Sequence, residues 1–171
     1  MDSSVVCLTN IAYTAAFNTD TRCPSWVQYE LTPDEIIVTN RISKPFRPDY
    51  RIYEFSNNAV DYDKSGYDRG HMAPAADFNF NMDALSETYL FTNICPQTPI
   101  LNRGEWAQIE QSVRELSKTY GPVQILNFPI FYNQVSNYIG RVRVPDEFVK
   151  VVWGAFGVKM WRCSNHNYMN D

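Results

Sequence analysis

One short segment of the chain places a proton acceptor beside a cation. It reads Asp68-Arg69-Gly70-His71, and His71 is one of only 2 histidines in the sequence. An imidazole with a pKa of about 6.5 can take a proton from water near neutral pH, and a guanidinium presents a fork of N–H donors to a phosphate. The glycine between them allows the backbone to approach a ligand closely or to turn sharply. A lone histidine is more often structural, but this pattern favours acid–base chemistry at a phosphate.

Three further polar motifs accompany this segment. In chain order they are Arg41 with Phe46-Arg47-Pro48-Asp49, Asn93 with Pro96-Gln97, and Leu101-Asn102-Arg103-Gly104 with Trp106 and Glu110. With these four motifs in order, the chain resembles the DNA/RNA non-specific endonuclease family, which includes the Serratia-type nuclease and mitochondrial endonuclease G. The resemblance covers most of the chain, from roughly Ile11 to Trp153.

The resemblance implies a role for each matching residue. His71 would be the general base, Arg41 would neutralise the phosphate in the transition state, and Arg69 would be a further phosphate contact. Asn102 would be the only direct protein ligand of a single hydrated Mg²⁺, for which Mn²⁺ can substitute. Such a site suits Mg²⁺, because this ion keeps most of its water and accepts few protein oxygens. Glu110 would hydrogen-bond a metal-bound water.

Several of these residues also have an ordinary structural explanation. Asn93 matches a family position that supports the site, and we group it with the catalytic residues although its task is open. Glu110 could be an exposed helix glutamate, and Arg103 could be a surface residue rather than a phosphate contact. Asp68 is expected to anchor its loop by accepting hydrogen bonds rather than to bind metal. A carboxylate-rich two-metal site is disfavoured, because no cluster of acids accompanies His71.

Length and composition favour a single globular domain. A chain of 171 residues with 44% hydrophobic and 15% aromatic residues suits one core. We expect one endonuclease domain over residues 1–171, with a loose polar tail from about 164 in which His166 is a surface histidine. The chain contains no apolar run long enough to cross a membrane, and its start has neither a basic region nor a long apolar core. The expected location is therefore the cytoplasm.

The cysteines do not form a recognisable metal or disulfide pattern. The 4 cysteines lie far apart with no Cys-x-x-Cys pair, so a zinc site has no support. Without a leader we expect free, mostly buried thiols. The pairing of Cys7 with Cys23 is the one disulfide left open.

The overall charge is unfavourable for binding nucleic acid. The net charge is −4, whereas non-specific affinity comes mainly from neutralising phosphates and releasing counterions. Residues 41–51 carry four cations against Asp49 alone, and this run is either a phosphate track or a solvated loop. An acidic surface predicts weak binding that depends strongly on salt.

The local sequence patterns predict the elements that must position these residues. They indicate strands at 26–31 and 36–39, a long polar loop at 43–65, a short strand carrying His71, a helical turn at 82–85 and a strand at 89–92 that ends at Asn93. A helix is predicted over 103–120, with one apolar stripe formed by Trp106, Ile109, Val113, Leu116 and Tyr120. Three further strands are predicted at 123–131, 141–144 and 148–161, the last broken by glycines. The resemblance implies that this is an α+β fold with a mixed or antiparallel central sheet and a ββα-metal motif.

We therefore expect a Mg²⁺-dependent endonuclease that cuts DNA and RNA with little sequence preference. Two alternatives stay open: a catalytically silent module that binds nucleic acid or protein, and a phosphodiesterase acting on a small nucleotide. No membrane partner is expected. Relatives are often dimers, so a homodimer is a further expectation, although no residue pattern marks an interface.

Overall fold

A six-stranded antiparallel sheet forms the centre of the fold. The computed structural model describes residues 4–37, 42–132 and 137–166. Its strands are β1 (Val5–Thr9), β2 (Tyr13–Asn18), β3 (Cys23–Leu31), β4 (Asp68–His71), β5 (Ile94–Gln97), β6 (Val123–Ile130), β7 (Tyr138–Ile139), β8 (Val142–Arg143), β9 (Glu147–Gly154) and β10 (Gly157–Ser164). The α-helices are α1 (Ala59–Tyr62), α2 (Met82–Glu87) and α3 (Trp106–Tyr120). The central sheet has the order β1-β2-β3-β6-β9-β10, which confirms the predicted α+β class with an antiparallel sheet.

Helix α3 packs against one face of this sheet because its apolar residues recur at helical spacing. Trp106, Ile109, Val113 and Leu116 are all buried, as predicted. Tyr120 is 51% exposed, so the prediction that it belongs to the stripe is wrong. It lies at the end of the helix, where Gly121 has φ +90° and donates its N–H to the Ser117 carbonyl at 2.9 Å.

Strands β4 and β5 form a separate antiparallel pair in front of α3. Gly70 allows a close approach in this pair, because a Cβ there would overlap the Gln97 side chain, which would then have to move. Gln97 is itself 0% exposed, so it has little room to move. The backbone at Gly70 thus comes close to the Gln97 side chain. The order strand, strand, helix agrees with the predicted local arrangement.

Two predicted strands are wrong. Ile36 and Ile37 follow a 3-10 turn at Pro33–Glu35, in which the Glu35 carboxylate accepts the Thr32 N–H at 2.9 Å; the rest of the predicted strand, 38–39, lies outside the described residues. The segment Phe91–Asn93 is also a 3-10 turn, and the strand β5 begins after Asn93 instead of ending there. A short apolar run cannot by itself distinguish these conformations.

The C-terminal part of the sheet is a hairpin. Strands β9 and β10 pair from Gly157 with Gly154 to Ser164 with Glu147, so the predicted break at the glycines is a turn between two strands. The prediction of a loose tail from about 164 is wrong at Asn165, which is 2% exposed and donates to the Pro96 and Pro145 carbonyls at 3.0 and 2.8 Å. His166 is exposed, as predicted. Residues 167–171 lie outside the described part.

Cys7 is exposed, and Cys23, Cys95 and Cys163 are buried, all as free thiols. Within the described ranges, no helix is both long and apolar enough to cross a membrane.

Candidate active site

A cavity of about 1150 Å³ opens where β4 faces the start of α3. Its walls carry most of the residues singled out from the sequence, which are Arg69, His71, Asn102, Arg103 and Glu110. These residues come from β4, from the turn before α3 and from α3 itself. The fold therefore brings the histidine and the asparagine motifs to one surface, although they are distant along the chain.

His71 ends β4, opposite Ile94 of β5, and its imidazole is held between aromatic rings. The Phe46 ring lies 5.4 Å from it between centroids, and the Tyr89 ring contacts it edge-on at 4.9 Å. Aromatic rings are stiff side chains with few rotatable bonds, so they restrict the directions in which the imidazole can point. The histidine is half-buried and lines the cavity.

The loop that carries Phe46 is fixed to the backbone near Leu90. The Arg47 N–H donates to the Tyr89 carbonyl at 3.1 Å, and the Arg47 carbonyl accepts from the Phe91 N–H at 3.0 Å. The Arg47 guanidinium also donates to the Ser86 carbonyl at 2.6 Å. Arg47 is thus part of the scaffold, although it belongs to the run of cations that we considered as a phosphate track.

Arg51, from the same run, is engaged in a structural contact as well. It pairs with Asp49 at 2.6 Å and donates to the Thr9 carbonyl at 2.9 Å. The Asp49 carboxylate also accepts a hydrogen bond from the Thr92 hydroxyl at 2.9 Å. Burial alone would raise the pKa of Asp49, but the hydrogen bonds from Arg51 and Thr92 outweigh burial and lower it below its ordinary value.

Asn93 holds the backbone that follows His71. Its Oδ1 accepts the Ala73 N–H at 2.8 Å, and its Nδ2 donates to the Ala73 and Thr88 carbonyls, both at 2.9 Å. The side chain is 0% exposed and is not among the residues that line the cavity. Asn93 therefore contacts the site through the main chain only, and a supporting task for it stays a prediction.

Asn102 is presented by the segment Leu101–Glu105 immediately before α3, in which Gly104 has the non-helical angles φ −110° and ψ −106° and kinks the chain. The Nδ2 of Asn102 donates to Oδ2 of Asp68 at 2.9 Å. An ionised carboxylate can only accept hydrogen bonds, so the amide must turn its nitrogen to Asp68 and leave its oxygen for a ligand. This orientation is the one that a hard divalent cation needs, since such cations bind oxygen.

Asp68 is the anchor of this arrangement. It accepts from the Arg103 guanidinium at 2.8 and 2.7 Å as well as from Asn102, as expected of a residue that anchors its loop. Burial tends to raise the pKa of Asp68, but the hydrogen bonds from Arg103 and Asn102 prevail and lower it. Arg103 itself is 72% exposed and directed at Asp68, which makes it a support for Asp68 more than a phosphate contact.

Glu110 lies on α3 with its side chain only 16% exposed, so it is not an ordinary exposed helix glutamate. Burial raises its pKa to about 7, which the nearby Lys150 and Arg114 partly oppose. Arg114, one turn further along, also lines the cavity and donates to Asp77 at 2.6 Å. The sequence analysis did not single out Arg114. Its spacing of one helical turn from Glu110 was the signal that could have identified it.

Arg69 reaches the cavity from β4. Its guanidinium lies over the Phe46 ring, 5.4 Å from the centroid, and pairs with the exposed Asp63 at 3.0 Å. Arg41 lies outside the described residues, so its place in the site stays a prediction. Across the described parts of the chain, no group of three or more His, Cys, Asp or Glu residues is arranged to hold a metal ion.

Comparison with known proteins supports the resemblance. Residues 2–169 match the DNA/RNA non-specific endonuclease family. The chain is 36% identical to the mitochondrial nuclease of Saccharomyces cerevisiae over 141 residues, which are 80% of this chain and 43% of the yeast protein. It is 31% identical to the mitochondrial endonuclease G of Homo sapiens over 155 residues, 82% of this chain and 52% of the human protein. The crystal structure of an EndoG/EndoGI complex contains a chain with a TM-score of 0.84 and 28% identity, covering 96% of this chain and 76% of that one.

These relatives also correct one expectation. The chain spans about half the length of the curated relatives it matches. The first four of these relatives are named as mitochondrial proteins, so the expected cytoplasmic location is wrong. That expectation was drawn from the first residues of this sequence, which corresponds to only part of these relatives.

Proposed function

Because the chain belongs to the DNA/RNA non-specific endonuclease family, we propose that it hydrolyses phosphodiester bonds of DNA and RNA with little sequence preference. The main observation behind this proposal is that His71 and Asn102 line the same cavity. Phosphodiester hydrolysis needs a base for the attacking water, groups that stabilise negative charge on the phosphate, and a way to stabilise the leaving oxygen. The cavity contains candidates for each of these tasks.

His71 is the proposed general base. The aromatic contacts from Phe46 and Tyr89 and the backbone anchor from Asn93 keep the imidazole in one orientation. A base that is already oriented toward the attacking water increases the reaction rate, because no entropy is lost in orienting it during each turnover. A base with a pKa close to the operating pH is also the most efficient one.

Asn102 is the proposed direct ligand of one Mg²⁺, with Glu110 hydrogen-bonding a water of the ion. The support is the orientation of the Asn102 amide, whose nitrogen donates to Asp68. A bound Mg²⁺ would supply positive charge close to the phosphate and the leaving oxygen. Because Asn102 is neutral, it leaves the full charge of the ion for this purpose. Mn²⁺ is expected to substitute for Mg²⁺.

Arg69 and Arg114 are the proposed phosphate contacts, joined by Arg41 on the strength of the resemblance. Both described arginines line the cavity, and each is held by a carboxylate, Asp63 and Asp77 respectively. Arginine suits this task because its planar fork of donors matches the oxygens of a phosphate. Recognition through phosphate also accounts for the lack of sequence preference, since the phosphate backbone carries no direct sequence information.

The test is digestion of plasmid DNA and of a structured RNA, with Mg²⁺ and with chelator. We expect wild-type protein to cut both substrates only with metal, and His71→Ala and Asn102→Ala to lose the activity. His166→Ala is the matched control, because it removes the other histidine at an exposed position. Tight binding without cleavage by the wild type would favour the silent binding module, and cleavage restricted to small nucleotides would favour the phosphodiesterase.

A further inference from the structure

Lys150 is a lysine in the interior of the protein. It lies on β9 and is 0% exposed, which is rare for a lysine unless a partner compensates its desolvation. Its Nζ donates to Oδ1 of Asn127, the residue opposite it on β6, at 2.8 Å. Its hydrogen-bond partner is a neutral amide, and the carboxylates of Glu110 and Asp77 favour its charged form through space. Burial outweighs them and lowers the pKa of Lys150 to about 8, so this lysine is held in the interior at a cost that invites an explanation.

The amide of Asn127 leads directly to the backbone beside His71. Its Nδ2 donates to the Met72 carbonyl at 2.5 Å, and both residues are 0% exposed. The Met72 N–H donates in turn to the Asn93 carbonyl at 2.9 Å. The peptide groups that follow His71 are therefore held from two sides, by Asn93 and by Asn127.

Lys150 and the Met72 carbonyl together determine which way the Asn127 amide faces. An ammonium group has donors and no acceptor, so it can bond only to the amide oxygen. This leaves the amide nitrogen for the Met72 carbonyl, which can only accept. Lys150 orients Asn127 by the same logic that makes Asp68, an acceptor only, orient Asn102.

Lys150 also contacts the other half of the site. Its Nζ lies 4.6 Å from the centroid of the Trp106 ring, and a cation over an aromatic face is attracted to it. Trp106 is the first residue of α3 and follows the kinked segment Leu101–Glu105 that carries Asn102. Lys150 thus contacts Asn127, which supports the backbone after His71, and Trp106, which begins the helix that follows Asn102.

We propose that Lys150 and Asn127 are positioning residues, which fix the His71 imidazole relative to the Asn102 carboxamide from behind the cavity. This inference rests on the proposed nuclease function for its activity readout and adds two residues that touch neither substrate nor metal. A positioning role predicts a lower kcat with little change in KM, because small misplacements of reacting groups reduce the rate of the chemical step.

Two substitutions separate positioning from simple structural support. Lys150→Met keeps the length of the side chain but removes the donor to Asn127 and also the cation near Glu110, so Asn127→Asp, which keeps Lys150, is the decisive variant. Asn127→Asp keeps an acceptor for Lys150 but places a carboxylate oxygen against the Met72 carbonyl. We expect both variants to lower kcat by about ten-fold or more with KM within about two-fold. Asn127→Asp is expected to lower the melting temperature but to stay folded, because the new carboxylate keeps Lys150 as a charged partner, and this preserves the test if Lys150→Met does not fold.

Val152→Ala is the matched control, since Val152 is also 0% exposed on β9 and makes none of these hydrogen bonds. It should lower the melting temperature and leave kcat unchanged at a temperature where all variants are folded. Wild-type kcat in a folded Asn127→Asp variant would overturn the proposal. So would a kcat loss in the control that matches those of the two variants.

Histidine NMR gives a second readout that does not need activity. The chain has 2 histidines, and the exposed His166 is an internal reference. We expect the His71 signal to shift or split in both variants while the His166 signal stays in place. An unchanged His71 signal in both would refute the positioning role. Absence of cleavage by the wild type would refute the proposed function alone, and the NMR result would still decide this inference.

Discussion

Asp68 accepts a hydrogen bond from Nδ2 of Asn102 at 2.9 Å, across the junction between β4 and the turn before α3. This contact joins two motifs of the proposed site, because Asp68 belongs to the segment that ends in His71 and Asn102 to the segment proposed to bind the metal. It also determines the orientation of the amide, since Asp68 can only accept.

Removal of this acceptor should weaken the metal site. In Asp68→Ala we expect half-maximal activity to need about 10- to 100-fold more Mg²⁺, as is usual when a group that orients a ligand is lost. The measurement is a titration of cleavage rate against Mg²⁺. Asp83→Asn, at an exposed position on α2, is the control for loss of one negative charge. An unchanged Mg²⁺ requirement in Asp68→Ala would show that Asp68 does not orient the ligand.

Asp49 should make stability depend on pH in the acid range. Its pKa in the folded protein is lower than its ordinary value, which is about 3.9 in an unfolded chain. Its stabilising effect is therefore complete above that unfolded value and is lost as the pH falls through the lower folded pKa.

We expect Asp49→Asn to reduce the free energy of unfolding by about 1 to 2 kcal/mol at pH 7, where the half-exposed Arg51 limits the effect. The difference from wild type should shrink as the pH falls into the range of the folded pKa. Urea unfolding at several pH values measures it. A difference that stays constant over the whole range would mean that the charge of Asp49 contributes nothing.

The close approach at Gly70 predicts a coupled pair of mutations. A Cβ at this position would overlap the buried Gln97 side chain, so Gly70→Ala should cost about 1 to 3 kcal/mol of stability. The cost should largely disappear in a Gln97→Ala background, because the clashing atoms are gone. A double-mutant cycle by urea unfolding gives the coupling energy. Additive effects of the two changes would contradict the predicted overlap.

The buried Asn93 and the exposed Asn81 allow a comparison of how much buried and exposed side-chain hydrogen bonds contribute to stability. Asn93→Leu removes three hydrogen bonds of a side chain that is 0% exposed, so we expect a loss on the order of 3 kcal/mol. Asn81→Ala removes the cap of α2 at an exposed position and should cost about 1 kcal/mol. Equal losses of stability would mean that Asn93 is not the anchor of the segment after His71.

The features that the sequence predicted well are those with a local signal. The stripe from Trp106 to Leu116 follows from helical periodicity, and the end of α3 follows from Gly121. The motif that ends in His71 was predicted on a short strand, and it is β4. The strand at 89–92 was misplaced, because Phe91–Asn93 is a 3-10 turn and a short apolar run does not distinguish the two conformations.

Other residues of the site were beyond the reach of the sequence pattern. Lys150 is one lysine in a strand, and only the packing of β9 against β6 and α3 shows that it is buried beside Trp106. Arg47 and Arg51 were counted with a basic run, yet their partners Ser86 and Thr9 make them structural. Such partners are set by tertiary contacts that local spacing does not contain.

The anomalous signal of Mn²⁺ in crystals of the protein tests the proposed metal site most directly. We expect one peak in the cavity, about 2.0 to 2.3 Å from Oδ1 of Asn102 and without direct bonds to His71. This peak should be lost in Asn102→Ala. A peak bound by the His71 imidazole, or a cavity peak that survives the loss of Asn102, would contradict the proposed site.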